Sequence, residues 1–121
     1  MQIPPLLHYL DFLSILNRID KMDTGMLRLT LTRAAEKFWG NLPDKQFCQV
    51  YDAINSLLVA PEATDSLELK SSVFPKRRRK DVGEHRIIYH ADATTLYVEL
   101  IGKRNGDEVY QIAKRMGLIC L

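Results

Sequence analysis

The spacing of hydrophobic residues changes character along this chain. Residues 5–22 carry apolar side chains at the 3.6-residue period of a helix, over a face wider than a free surface helix exposes. From Met26 the apolar residues alternate with polar ones in MLRLTLT, which predicts a strand. The pattern divides the chain into an N-terminal helical extension, residues 1–25, and a domain, residues 26–121. Met26 could also be an alternative start codon, which would make the extension an appendage.

A helical hairpin is predicted after this first strand. Thr32 is a suitable N-cap for the short helix RAAEKFW, which a glycine and an asparagine end. Pro43 suits the first turn of a second helix, which runs to about Val59. The apolar residues of this second helix recur at the helical period: Phe47, Val50, Tyr51, Ile54, Leu57 and Leu58. We expect Phe38 and Trp39 in the core of the hairpin.

The hydrophobic period then changes to two residues. Four strands are predicted: Leu67 to Lys70, Val73 to Asp81, His85 to Ala91 and Thr95 to Lys103. The turns DVGE and DATT are short, so neighbouring strands must be antiparallel. Asn105 and Glu108 have capping-box spacing and begin a last helix that ends near Met116. The predicted fold class is α+β: an antiparallel sheet packed on an N-terminal helical hairpin, with a C-terminal helix and the extra N-terminal helix.

Composition describes an ordinary globular protein with an uneven distribution of charge. The 121 residues, 46% hydrophobic and 26% charged, suffice for one domain. The net charge of +2 does not mark a nucleic-acid binder, but five basic residues are consecutive at KRRRK, Lys76 to Lys80. Five more follow: Arg86, Lys103, Arg104, Lys114 and Arg115. Positive charge concentrated in the second half can hold an anion.

Cysteine content and the apolar N-terminus bear on the compartment. Cys48 and Cys120 have no metal-ligand spacing and indicate a reducing compartment, with Cys48 expected as a small core residue. The N-terminal apolar run is interrupted by Asp11, is too short to span a bilayer and lacks a signal-peptide layout. We therefore expect a cytoplasmic protein with no membrane partner. No motif for a metal ion or another cofactor is present.

Three polar side chains stand out around the last two predicted strands. Arg86 lies inside an apolar strand, Arg104 ends the next strand, and Tyr110 follows on the last helix. This order of elements lets the three side chains converge beside the start of that helix, where free N–H groups also favour an anion. We therefore predict an anion site formed by two guanidiniums and a phenol.

The basic strand before Arg86 extends this prediction. Alternation along that strand, with Phe74 facing the helices, directs Arg77 and Arg79 to the sheet face that carries Arg86. RNA backbone is an anion that such a face can bind. Cleavage of RNA by its own 2′-hydroxyl needs a base, cations that stabilise the phosphorane and an acid for the leaving oxygen, but no metal. Arginine suits the cationic role, and guanidiniums near a tyrosine lower the pKa of its phenol, ordinarily about 10.

Two segments carry a resemblance to a known family. LTLTRAAEKFWGNLP and GEHRIIYHADATTLYVELIGKRNGDEVY together resemble the RelE/ParE superfamily of bacterial toxins, over roughly residues 26–116. The resemblance is closest from Gly83 to Tyr110, where the glycine, the arginine of HRIIY, IGKR and EVY have the family's order and spacing. RelE-like members are toxins of type II toxin–antitoxin systems, endoribonucleases that cut messenger RNA in the ribosomal A site and that an antitoxin holds inactive. The resemblance implies this activity here, with messenger RNA, the ribosome and a cognate antitoxin as partners, and a homodimer or a heterotetramer with the antitoxin.

The resemblance also implies roles for individual residues. Arg86 matches the arginine that contacts the scissile phosphate, Arg104 the arginine that stabilises the transition state, and Tyr110 the base. Basic residues on the preceding strand bind RNA in that family, which here indicates Arg77 and Arg79. KRRRK is richer in charge than the usual alternation of apolar and basic residues, and residues 1–25 have no counterpart in the family pattern.

Other interpretations of the same residues stay open at the level of sequence. Arg86 could instead form a salt bridge with Glu99 or Asp81. KRRRK could be a solvated edge strand that resists aggregation. His85 or His90 could donate the proton to the leaving group.

Two other functions also stay open. The chain could be a ParE-like inhibitor of DNA gyrase. It could also be an inactive homologue, covered by residues 1–25, that only binds an antitoxin or nucleic acid.

Overall fold

The protein, seen in a computed structural model, is described over residues 26–62, 66–70 and 72–119. The elements follow in this order: β1 (Arg28–Leu31), α1 (Arg33–Gly40), α2 (Asp44–Val59), β2 (Ser66–Glu68), β3 (Arg78–Val82), β4 (His85–Ala91), β5 (Thr95–Lys103) and α3 (Glu108–Arg115). This order confirms the predicted α+β class. The predicted N-terminal extension and Cys120 lie outside the described residues. No described helix is long and apolar enough to cross a bilayer.

The five strands form one mixed sheet in the order β1-β5-β4-β3-β2. Strands β2 to β5 pair antiparallel. The short turns from β3 to β4 and from β4 to β5 require this arrangement. Strand β1 pairs parallel to β5, with Arg28 opposite Thr95. The prediction of an antiparallel sheet is therefore wrong at β1. Turn length constrains only strands that follow one another, and no short turn joins β1 to β5.

Each face of the sheet has its own core. The helical hairpin α1–α2 covers one face, called the hairpin face, and buries there Trp39, Val50, Ile54, Leu57, Ile87, Tyr89 and Val98. Helix α3 and the segment after it cover the other, called the α3 face, with Ile88, Leu100, Val109, Ala113 and Leu118. Thr32 caps α1 as predicted, because its Oγ1 accepts a hydrogen bond from the Ala35 N–H at 3.1 Å.

Three local predictions are wrong. Phe74, expected to face the helices, is 89% exposed, because the predicted strand 73–81 is regular only from Arg78. Pro75 has no N–H group to extend a ladder into this segment. Cys48 is exposed, since α2 turns Phe47 and Val50 towards the core and position 48 outwards. Helix α3 is capped at Asp107 rather than Asn105, without a side-chain cap bond.

The interpretation of KRRRK as an edge strand is also wrong. Among the described strands β3 lies between β4 and β2, so β2 is the edge. Lys80 is accordingly 7% exposed. The last three residues of the basic run, Arg78 to Lys80, lie in this inner strand, whereas Lys76 precedes it and is exposed.

A glycine allows α3 to lie close to the sheet. A Cβ atom at Gly102 would meet Val109 Cγ2 at 3.2 Å, which is tighter than a normal contact. Gly102 pairs with Arg86 across β4 and β5. The close approach at Gly102 therefore brings the residue after Val109, which is Tyr110, to the strand that carries Arg86.

Candidate functional site

The hydroxyl of Tyr110 lies between two guanidiniums on the α3 face. Arg79 Nη1 donates a hydrogen bond to Tyr110 Oη at 2.6 Å, and Arg86 Nη1 donates another at 2.5 Å. The Arg86 guanidinium carbon also lies 5.3 Å from the centre of the Tyr110 ring, which is within the range of a cation–π contact. Strands β3 and β4 supply the arginines and α3 supplies the tyrosine. The convergence of Arg79, Arg86 and Tyr110 on one face is therefore observed.

A carboxylate holds the other edge of Arg86. Asp81, directly opposite Arg86 in the β3–β4 ladder, accepts hydrogen bonds from Arg86 Nε at 2.6 Å and from Nη2 at 3.2 Å. Hydrogen bonding to Arg86 lowers the pKa of Asp81, and the same bond raises the pKa of Arg86. The salt bridge considered from sequence forms with Asp81 and not with Glu99. The pair and the phenol contact coexist because they use different nitrogens of one guanidinium.

The Asp81–Arg86 pair makes a prediction about acid stability. Because the folded-state pKa of Asp81 is below its ordinary value of 3.8, the pair stabilises the fold above that value and is lost as the pH falls through the lowered pKa. We expect Asp81→Asn to lower the free energy of unfolding at pH 7, and this difference from the parent to shrink below about pH 4. Urea unfolding of both proteins from pH 7 to pH 3 measures it. A difference that grows as the pH falls would contradict the assignment.

Arg104 lies near this group without a contact to Tyr110. Its backbone N–H donates to the Glu84 carbonyl at 2.8 Å, and its side chain is exposed. Its positive charge contributes, after that of Arg86 and Arg79, to the lowered pKa of Asp81. Within the described part of the chain, its guanidinium makes no hydrogen bond or ion pair. It is therefore a cation beside the site that remains available to an anion.

Arg77 belongs to a different, buried group on the same face. Arg77 Nε and Nη2 donate to the two oxygens of Glu99 at 2.7 and 3.1 Å, and Nη1 donates to the Val73 carbonyl. His90 Nδ1 lies 2.6 Å from Glu99 Oε1. Burial raises the pKa of Glu99, but the bonds from Arg77 and His90 outweigh it, so that the pKa lies below its ordinary value. With Arg77 8% exposed, its guanidinium is not presented to a ligand as the sequence led us to expect.

A β-bulge explains why Glu99 reaches this face. Ile88 pairs with Leu100, whereas the next residue, Tyr89, pairs with Val98, which leaves Glu99 as the extra residue on β5. Strict alternation from Leu100 would have turned Glu99 to the hairpin face. Glu99 was considered from sequence only as a partner of Arg86. No local signal in the sequence marks the bulge.

The two histidines lie away from the phenol. His85 packs against Phe38 on the hairpin face, and burial lowers its pKa. His90 stacks on Tyr97 with ring centres 4.6 Å apart and bonds to Glu99. Neither histidine contacts Tyr110 in the described structure. Among the described residues, no group of three His, Cys, Asp or Glu side chains could hold a metal ion.

Comparison with known structures adds to this geometry. The RelE–RelB complex of the archaeon Pyrococcus horikoshii contains a chain that matches at a TM-score of 0.56 and 18% identity, over 66% of this chain and 97% of that one. The isolated E. coli RelE toxin matches at 0.56 and 20% identity, over 75% and 97%. An E. coli RelE mutant with two arginines replaced by alanine matches at 0.53 and 19%, over 78% and 100%.

The fold is RelE-like. Nearly the whole length of each RelE chain superposes on part of this one. No protein-family model and no curated protein sequence matches the chain. The RelE-like likeness is therefore one of structure at low sequence identity.

Proposed function

We propose that this protein is the toxin of a type II toxin–antitoxin system and cleaves messenger RNA at the ribosome. The observation that carries the proposal is the Tyr110 hydroxyl held between the guanidiniums of Arg79 and Arg86 on a RelE-like fold. The two hydrogen bonds fix the position of the phenol oxygen, which is the candidate for accepting a proton from the substrate. The two guanidinium cations suit a phosphate, because guanidinium donates paired hydrogen bonds to its oxygens.

The reaction uses the substrate's own nucleophile. The Tyr110 oxygen, acting as the base, takes the proton of a ribose 2′-hydroxyl, and the 2′-oxygen then attacks the adjacent phosphorus. The bond from phosphorus to the 5′-oxygen breaks, and that oxygen takes a proton from water and leaves as a hydroxyl. The hydroxide formed from this water takes the proton from Tyr110, which restores the base. The products are a 2′,3′-cyclic phosphate and a 5′-hydroxyl end. Neither a metal ion nor a covalent protein intermediate takes part.

Each remaining side chain has a separate task. Arg86 binds the scissile phosphate through the nitrogen that faces Tyr110, while Asp81 holds the opposite edge of the guanidinium and so fixes its direction. Arg104, exposed beside this pair, stabilises the charge of the phosphorane. Arg79 contacts RNA backbone. We do not assign RNA contact to Arg77, because Glu99 and the Val73 carbonyl take its guanidinium.

The partners follow from the same proposal. Ribosome-bound messenger RNA is the substrate, since the ribosome can hold the 2′-oxygen and the phosphorus in line. A cognate antitoxin covers the toxin, as the RelB chain accompanies RelE in the Pyrococcus horikoshii complex. Such a toxin acts in the cytoplasm, where ribosomes translate.

The test separates this function from its rivals. We expect the purified chain to cut messenger RNA on bacterial ribosomes stalled with an empty A site, leaving 2′,3′-cyclic phosphate ends, and to leave supercoiling by DNA gyrase unchanged. Primer extension maps the cuts, and gel electrophoresis of plasmid DNA measures supercoiling. Inhibited supercoiling with intact RNA would identify a gyrase inhibitor instead. No effect on either substrate would identify an inactive homologue.

A further inference from the structure

A cavity of about 610 Å³ opens directly beside the Tyr110–Arg79 contact. Its lining combines three apolar residues with Arg79 and Tyr110 of the site and with two further charged residues: Leu67, Leu69, Ile119, Arg79, Tyr110, Glu68 and Lys70. The isolated bridge between Ser72 and Ile119 holds the C-terminal segment at this position. The cavity therefore extends the proposed phosphate site towards β2.

The wall formed by β2 combines an exposed apolar side chain with backbone groups that no described strand pairs. Leu67 lies opposite Arg79 in the ladder, and its side chain is 54% exposed at the cavity wall. Leu69 donates its N–H to the Arg77 carbonyl at 2.8 Å, so by alternation the N–H and C=O groups of Glu68 point away from β3. No described strand pairs with that outer edge. Leu67 and the Glu68 backbone thus present an apolar surface next to a hydrogen-bonding edge.

We propose that this cavity receives the nucleobase of a nucleotide adjoining the cleaved phosphodiester. The inference rests on the proposed function and adds a nucleobase site to the proposed phosphate site. An unpaired base has an apolar π-face and a polar edge, which match Leu67 and Leu69 on one hand and the outer backbone edge of β2 on the other. A guanidinium can stack on the same base.

Arg79 links the base site to the phosphate site. Its Nη1 contacts Tyr110, where the phosphate would bind, and its side chain also lines the cavity. A base is joined to its own phosphodiester through one ribose, so phosphate at Arg79 and Arg86 would place a neighbouring base at the cavity mouth. An apolar protein helix would leave the Arg79 charge and the β2 edge without partners. Charge complementarity therefore favours RNA as the occupant.

The experiment fills the cavity and follows the base directly. Leu67→Trp and the smaller Leu67→Phe obstruct the cavity, and Val59→Trp places the same ring on an exposed apolar position outside it. The probe is a ribosome-bound messenger RNA with 2-aminopurine in the A-site codon and a 2′-deoxyribose that prevents cleavage. We expect the parent and Val59→Trp to change 2-aminopurine fluorescence, and both Leu67 variants to lose most of this change.

Cleavage kinetics on all-ribose messenger RNA provide a second measurement. The Leu67 variants should have a KM about tenfold higher than the parent, which corresponds to the loss of one base contact, and should cut with an altered base preference.

Each outcome decides between two statements. If the parent does not cut all-ribose messenger RNA on the ribosome, the proposed function is overturned and this inference with it. If the parent cuts, but Leu67→Trp, Leu67→Phe and Val59→Trp match it in fluorescence, KM and cleavage sites, the inference alone is overturned. Circular dichroism of all three variants establishes that each is folded.

Discussion

Tyr110→Phe is expected to lower the rate of messenger RNA cleavage by about 10²- to 10⁴-fold, the range contributed by a positioned acid or base. The change removes only the oxygen that accepts hydrogen bonds from Arg79 and Arg86, and leaves the ring in place. Both guanidiniums can bind water or RNA phosphate instead, so we expect substrate affinity to change little. Single-turnover cleavage on stalled ribosomes measures the rate separately from binding.

Tyr97→Phe is the matched control for this substitution. In the parent protein, the Tyr97 hydroxyl donates a hydrogen bond to Asp92 at 3.2 Å. Asp92 lies on the exposed β4–β5 turn, away from both arginines. The cleavage rate of Tyr97→Phe should equal that of the parent.

Arg104→Ala should lower the cleavage rate by about 10²- to 10³-fold, by analogy with the loss of one oxyanion donor. If folded Tyr110→Phe and Arg104→Ala both arrest translation as strongly as the parent, the ribonuclease proposal is wrong.

Glu99→Ala is expected to cause the largest loss of stability, about 3–5 kcal/mol in the free energy of unfolding. The substitution leaves the Arg77 guanidinium buried without its carboxylate, since the side chains of the pair are only 9% and 11% exposed. It also removes the hydrogen-bond partner of His90 Nδ1. Urea unfolding measures the effect as a lower midpoint at an unchanged dependence on denaturant.

An exposed ion pair in the same protein provides the comparison. Lys76 and Glu68 lie 3.0 Å apart with side chains 74% and 56% exposed. Glu68→Ala should therefore change the free energy of unfolding by less than about 1 kcal/mol. Replacing the buried pair by Arg77→Met and Glu99→Leu together should recover much of the stability lost by Glu99→Ala. A Glu99→Ala protein as stable as Glu68→Ala would show that the buried network does not hold the sheet together.

The central part of the candidate site could be predicted because it depends on local periodicity. Two-residue alternation determines which side chains share a face, and the short turn at Gly83 sets the register of β3 against β4. Together they bring Arg79 and Arg86 to one face before any tertiary contact is known. The last helix then adds Tyr110, although its predicted start at Asn105 is wrong. The roles of these residues in catalysis stay predictions.

Arg77 shows where this reasoning ends. Alternation correctly directs it to the α3 face, but its partner comes from β5, 22 residues further along the chain. A carboxylate that reaches it only through a bulge leaves no periodic signal in the sequence. The same charge that indicated an RNA contact is therefore buried in a structural ion pair.

The sequence alone determined the helical hairpin, the turns of the antiparallel strands and the α+β class, because caps, turn residues and hydrophobic period act over a few neighbours. Only the tertiary structure decided that β1 pairs parallel to β5, that Asp81 takes one edge of Arg86, and that a cavity opens beside Tyr110. These features depend on which distant segments meet when two cores form on opposite faces of one sheet. The residue pattern within a single helix or strand does not determine these contacts between distant segments.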